Sequence, residues 1–159
     1  MAQELKVLRK NTIAVAADVS DEQQVNRLVQ KTLETYGTID ILVNNAGSRG
    51  PIAPLHKIPL PEWEETIRAN LTSAFLCSKA VIPTLIERKT GKIINIATAQ
   101  TPRPNLTPYM VAKAGMVYLT KQLSRELKEY NIQVNAVHPG VMDTRMQEEI
   151  RKAGAKAIG

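Results

Sequence analysis

The sequence predicts an α/β fold: a parallel β-sheet with helices on both faces, in three layers. Two observations carry this. Four short apolar and β-branched runs recur along the chain, and segments of helical period longer than ten residues separate them. Strands alternating with helices of that length imply right-handed βαβ units and hence a parallel sheet. No internal repeat, low-complexity stretch or linker interrupts the pattern, so residues 1–159 read as a single domain.

The first run is "TIAVAADV" (12–19), too short for a helix and not cleanly alternating, as suits a strand buried on both faces. "DILVNNA" (40–46), "KIINIA" (92–97) and "IQVNAV" (132–137) are the other three. The helix after the first run opens with Ser20 and Gln23 in capping-box spacing, sets Val25, Leu28, Val29, Leu33 and Tyr36 on one stripe, and stops at Gly37. A second helix starts at Pro61, a good first-turn residue, and aligns Ile67, Leu71, Ala74, Ser78 and Ile82; Pro83 is expected to kink or shorten it. The third runs from about Pro108 to Glu129.

Composition excludes several function classes. With 43% hydrophobic and 23% charged residues the chain is ordinary for a globular protein, and no apolar run approaches the roughly 20 residues needed to span a bilayer. "MAQELKVLRK" has basic residues without an apolar stretch behind them, unlike a secretory leader, so a cytoplasmic location without membrane contact is expected. The net charge of +6 raises the question of nucleic acid, but bases alternate with acids in "SRELKEY" and "EEIRKAG", as on solvated helix faces, and nucleic acid is not an expected partner. One cysteine, Cys77, makes neither an internal disulfide nor a multi-thiolate metal site. It reads as a small buried thiol, and no metal site is expected.

In open α/β sheets ligands bind beyond the carboxyl ends of the strands. Those ends carry Asp18, then "NNAG", "TAQ" and "HPG". Tyr109 and Lys113 stand four apart near the head of the third helix and so share a face. A cation beside a phenol lowers its pKa from near 10, which would make a general acid or base for neutral pH. Spacing alone also fits a packed ring beside a solvated ammonium. Gly47 permits positive φ or close approach of a ligand, though "NNAG" also fits a plain turn. Asn70 lies on the apolar face of its helix, where a buried amide must find partners.

Taken together, Asp18-Val19, Asn44-Asn45-Ala46-Gly47, "ANLTSAF" around Asn70, "GKIINIA", Tyr109-x-x-x-Lys113 and Pro139-Gly140 followed by Thr144 resemble a classical short-chain dehydrogenase/reductase, of the 3-oxoacyl-ACP reductase-like kind, from about residue 4 to 150. The resemblance implies a partial Rossmann-type, doubly wound sheet that binds NAD or NADP, and hydride transfer between the nicotinamide and a small carbonyl or alcohol. It implies that Tyr109 is the catalytic acid or base, and that Lys113 lowers its pKa and binds the nicotinamide ribose. Asn70 would hold a relay water, and Thr98 would stand for the family's serine. Asp18 would contact the adenine amine; Val19, Asn44, Ala46 and Gly47 would line the cofactor groove. Pro139, Gly140 and Val141 would border the nicotinamide, and Thr144 would bind its carboxamide. His138 reads as structural, and the full-length family form implies a homo-oligomer.

The sequence departs from the family's pattern in three places. Thr98 replaces the serine, and the loop "AQTPRPNLTP" between it and Tyr109 is about two residues shorter than usual, which threatens their register. The glycine-rich Thr-Gly-x-x-x-Gly-x-Gly loop that receives the pyrophosphate is missing, together with the family's first two strands and its last. Exposed strand edges and weak or absent cofactor binding are therefore expected. The competing reading is an inactive remnant that pairs with a full-length relative through its long helices. The NAD or NADP choice rests on residues after the absent second strand and stays open.

Overall fold

The computed structural model describes residues 11–99, 101–140 and 142–154. Val141, expected beside the nicotinamide, lies outside them. Helix α1 (Glu22–Tyr36) leads to strand β1 (Ile41–Asn44), helix α2 (Leu60–Ile67), helix α3 (Ser73–Arg88), strand β2 (Gly91–Ile96), helix α4 (Thr107–Glu126), strand β3 (Ile132–Val137) and helix α5 (Arg145–Ala153). The three strands form one parallel sheet in the order β1-β2-β3, with Asn44 paired to Asn95 and Ile93 paired to Val134.

The run at 12–19 forms no strand, contrary to expectation. Among the described residues no neighbouring strand offers it a ladder of hydrogen bonds, so its apolar residues stay partly in water; Ile13 and Val15 are exposed. The capping box also shifts by one residue. The Ser20 hydroxyl donates back to Asp18 Oδ1, so Asp21 caps α1 instead and accepts from the Gln24 amide at 3.0 Å. Gly37 ends the helix in the left-handed region, as its position predicted.

Pro83 does not end α3, which continues to Arg88. The irregularity lies earlier, where a five-residue π-turn, Arg68–Thr72, joins α2 to α3 and carries Asn70. The rod Leu60–Arg88 is 29 residues, long and apolar enough by length and composition to cross a bilayer, against the sequence reading. Its apolar side is instead covered by protein, with Leu76, Cys77, Val81 and Leu85 buried, as in a core helix.

Val81 and Leu85 of α3 pack with Ile93 of β2, Ile132 and Val134 of β3, and Leu127 after α4; Val29 of α1 and Leu42 of β1 close the cluster. Fully burying side chains of this size stabilises the fold by about 1.5–3 kcal/mol each. All three long helices thus cover the sheet face that carries Leu42, Ile93 and Val134. The opposite face shows Ile41 and Val43 about half exposed. The sheet flanked by helices is the α/β arrangement expected; among the described residues its outer face is apolar along β1, whereas β3 turns Gln133 and Asn135 outwards.

Across the covered face runs a polar chain. Asn44 Nδ2 donates to Ser78 Oγ on α3 (3.1 Å) and to its strand partner Asn95 Oδ1 (2.8 Å); Asn95 Nδ2 donates to Thr120 Oγ1 on α4 (2.8 Å), which donates to the Met116 carbonyl. All four side chains are buried. An Asn95→Ala chain takes one partner each from the Asn44 amide and the Thr120 hydroxyl and opens a buried gap between them, and we expect a loss of about 1–3 kcal/mol in urea unfolding. Unchanged stability would refute the network's role.

Candidate functional site

The π-turn turns Asn70 inward, fully buried, under the loop after β1. Its Nδ2 donates to the carbonyls of Ser48 (2.7 Å) and Thr66 (2.9 Å), while Oδ1 is buried without a hydrogen-bond partner among the described residues. Gly47 passes directly over that oxygen, where a Cβ would sit 2.5 Å from Asn70 Oδ1 and 3.6 Å from Lys113 Nζ. Close approach rather than positive φ is what this position needs.

Helix α4 begins at Thr107 with Pro108 in its first turn, which places Tyr109 and Lys113 at the carboxyl end of β2. Lys113 is buried, its Nζ donates to the Ile96 carbonyl at 2.7 Å, and the amine lies 5.9 Å from the centre of the Tyr109 ring. Loss of water brings its pKa down to about 8. Burial pushes the Tyr109 phenol up, opposed by a hydrogen bond with the Thr98 hydroxyl and by the charge of Arg103. The expected net lowering is not what results, because burial of the phenol itself outweighs the groups that favour the phenolate. The Thr98–Tyr109 bond also shows that the short loop keeps the two residues in register.

These groups line one cavity of about 550 Å³, together with Gly47, Asn70, His138, Pro139, Gly140 and Thr144. His138 Nδ1 accepts from the Gly140 amide at 2.8 Å, which holds the turn and agrees with a structural role. Thr144 caps α5, its Oγ1 accepting from Gln147 at 3.3 Å, so its hydroxyl proton is left to donate elsewhere. A second cavity of about 540 Å³ is lined by Asp18, Val19, Ala46, Gly47 and Arg68, among others. Gly47 belongs to both. Asp18 accepts from the amide and hydroxyl of Ser20, bonds that hold its carboxyl below the usual range. Asn44 is a correction, since its amide is taken up by Ser78 and Asn95 in the interior and its side chain lines neither cavity.

The sequence profile described as short chain dehydrogenase matches residues 1–155. The chain belongs to the short chain dehydrogenase family. It is 40% identical over 141 residues to a 3-oxoacyl-[acyl-carrier-protein] reductase of Synechocystis sp., covering 87% of this chain and 56% of that protein. It is 41% identical over 132 residues to an uncharacterized oxidoreductase of Thermotoga maritima, covering 82% of this chain and 51% of the relative. The solved gluconate 5-dehydrogenase of Burkholderia cenocepacia, in complex with NADP and tartrate, superposes with a TM-score of 0.87 at 33% identity, over 97% of this chain and 62% of that one. The chain thus spans about half the length of the curated relatives it matches.

The two cavities share Gly47 as a lining residue, a placement that would suit the two ends of a nicotinamide dinucleotide. The close passage of Gly47 over Asn70 and the unpartnered Asn70 oxygen mark a built polar site. Tyr109, Lys113, Pro139, Gly140 and Thr144 would hold the nicotinamide end, and Asp18, Val19 and Ala46 the adenine end. The glycine-rich loop for the phosphates is not in the sequence. The sequence placed the stretch beginning Ser48-Arg49 on the substrate side but singled out neither Arg49 nor Arg103, which also line the larger cavity. Both sit in proline-containing loops, where no periodicity marks which way a side chain points.

Proposed function

We propose that this chain carries the catalytic half of an NAD(P)-dependent oxidoreductase acting on a small carbonyl or alcohol. The observation that carries it is the convergence of Asn70, Thr98, Tyr109 and Lys113, from three separate elements, on one cavity at the carboxyl ends of the strands. A bound nicotinamide supplies or accepts the hydride. Thr98 and Tyr109 bind the substrate oxygen, and the Tyr109 phenol gives its proton to that oxygen during reduction or takes it back during oxidation. Lys113 passes a proton towards the phenol and grips ribose hydroxyls, and Asn70 fixes the loop of Ser48 over the site. The inactive-remnant reading is not favoured, since the relatives named above are reductases and dehydrogenases. A homo-oligomer and a cytoplasmic location rest on the family and belong to the same proposal.

The test is NADH and NADPH fluorescence with the purified chain, followed by a carbonyl screen. We expect weak but saturable enhancement, since the phosphate loop is missing, and a Gly47→Ala substitution should weaken it further by roughly tenfold because the new methyl group displaces Asn70. Absence of binding by a folded chain, or full binding by Gly47→Ala, would sink this assignment.

A further inference from the structure

The larger cavity has a marked charge imbalance. Among its lining residues are three cations, Arg49, Arg103 and Lys113, and no carboxylate. Lys113 is accounted for by the Ile96 carbonyl and the proposed cofactor contact. The two arginines are not needed for hydride or proton transfer. The Arg49 side chain is only 21% exposed, and among the described residues its ion pair is a long one, from Nη2 to Glu149 Oε2 at 3.4 Å. Its Nε is buried with no hydrogen-bond partner among the described residues. Leaving a buried guanidinium donor unpaired is costly, and its natural complement is the oxygen of an anion. Arg103, on the loop before α4, stands close enough to the Tyr109 phenol for its charge to act on it.

We propose that Arg49 and Arg103 select a substrate bearing a carboxylate, so that the reacting carbonyl or alcohol belongs to an oxo or hydroxy acid. This rests on the oxidoreductase reading above for the reacting group, but the anion site stands on its own geometry. The reacting oxygen is placed by Thr98 and Tyr109, while the carboxylate lies against guanidinium groups from the loops on either side of the cavity. Arginine suits this role because its fork of N–H donors matches the two carboxylate oxygens and keeps its charge at every working pH. The partner at Glu149 makes the site adjustable, since the incoming carboxylate competes with it for Arg49. An uncharged carbonyl compound would leave Arg49 with only its long pair to Glu149 and its Nε unmet, and would give Arg103 no anion, so it would be disfavoured on that ground.

Binding of succinate by calorimetry at low salt tests the proposal, with succinamide as the uncharged control. NADPH fluorescence is recorded on the same samples. We expect saturable succinate binding, at least tenfold tighter than succinamide. Arg49→Gln and Arg103→Gln should each weaken it by roughly tenfold, as loss of a charge-assisted hydrogen bond does. Glu149→Gln, which removes the competitor, should strengthen it several-fold, and Lys152→Gln on exposed α5 should leave it unchanged. Arg103 is exposed, so its variant keeps the fold whatever happens at Arg49. Equal binding of succinate and succinamide overturns the proposal, as does an arginine variant that binds like wild type. If the succinate pattern appears without any NADPH response, the anion site stands and the oxidoreductase assignment fails; the reverse result removes only the anion site.

Discussion

A Tyr109→Phe chain is expected to lose roughly 10²- to 10⁴-fold in carbonyl reduction, the usual contribution of a positioned general acid, while its NADPH response changes little. The ring and its packing survive the substitution, and what disappears is one hydroxyl. That hydroxyl is bonded to Thr98, faces the cavity and is pushed by burial above the ordinary phenol range. A raised pKa keeps the acid form populated well past neutrality. Reduction in the wild type should therefore stay level across neutral pH and fall only in the alkaline range, whereas oxidation, which needs the phenolate, should climb with pH. Profiles of kcat/KM in the two directions check both statements. A phenylalanine variant that keeps more than about a tenth of the activity would remove Tyr109 from the chemistry.

Lys113→Met should have the opposite effect on stability from its effect on function. At neutral pH the buried amine is charged, and its pKa of about 8 against 10.5 in water records what that charge costs the folded state. A methionine of similar length removes the charge but also the bond to Ile96, so the net gain should be on the order of 1–3 kcal/mol at pH 7. Between about 8 and 10.5 the unfolded chain binds more protons at this position than the folded one, so wild-type stability rises with pH there. The advantage of the variant is full below that window and fades across it. Cofactor binding should be lost throughout. Thermal unfolding at several pH values decides the matter: a variant no more stable than wild type at pH 7, or an advantage that does not shrink by pH 10.5, would show that the amine is not held in a desolvated state.

The site was legible mainly through helical spacing and strand order. Tyr109 and Lys113 lie one turn apart at a helix start, and Gly47 lies three residues past the end of a strand, so backbone geometry brings them to the same end of the sheet. Asn70 was legible as a buried amide but not its π-turn, because one extra residue in a turn leaves no mark on hydrophobic period. Asn44 was misplaced, since whether a strand-end amide faces a ligand or the interior depends on the helices that supply Ser78 and Thr120. The strand expected at 12–19 failed for a different reason. Its residues have strand character, but a strand exists only with a neighbour, and pairing is not a local property. The roles of Arg49 and Arg103 as individual side chains could not be singled out, because loop side chains are aimed by the tertiary fold rather than by a repeat.

The half-exposed outer face of β1, as the described residues leave it, bears on how this chain answers to solvent. Ile41 and Val43 are already half hydrated in the folded state, so unfolding wets less new apolar surface than it would for a sheet enclosed between two helical layers. Heat-capacity change and denaturant sensitivity both scale with that newly wetted area. A broad, shallow melting transition would therefore be the native signature of this architecture, and would not by itself indicate a poorly folded core.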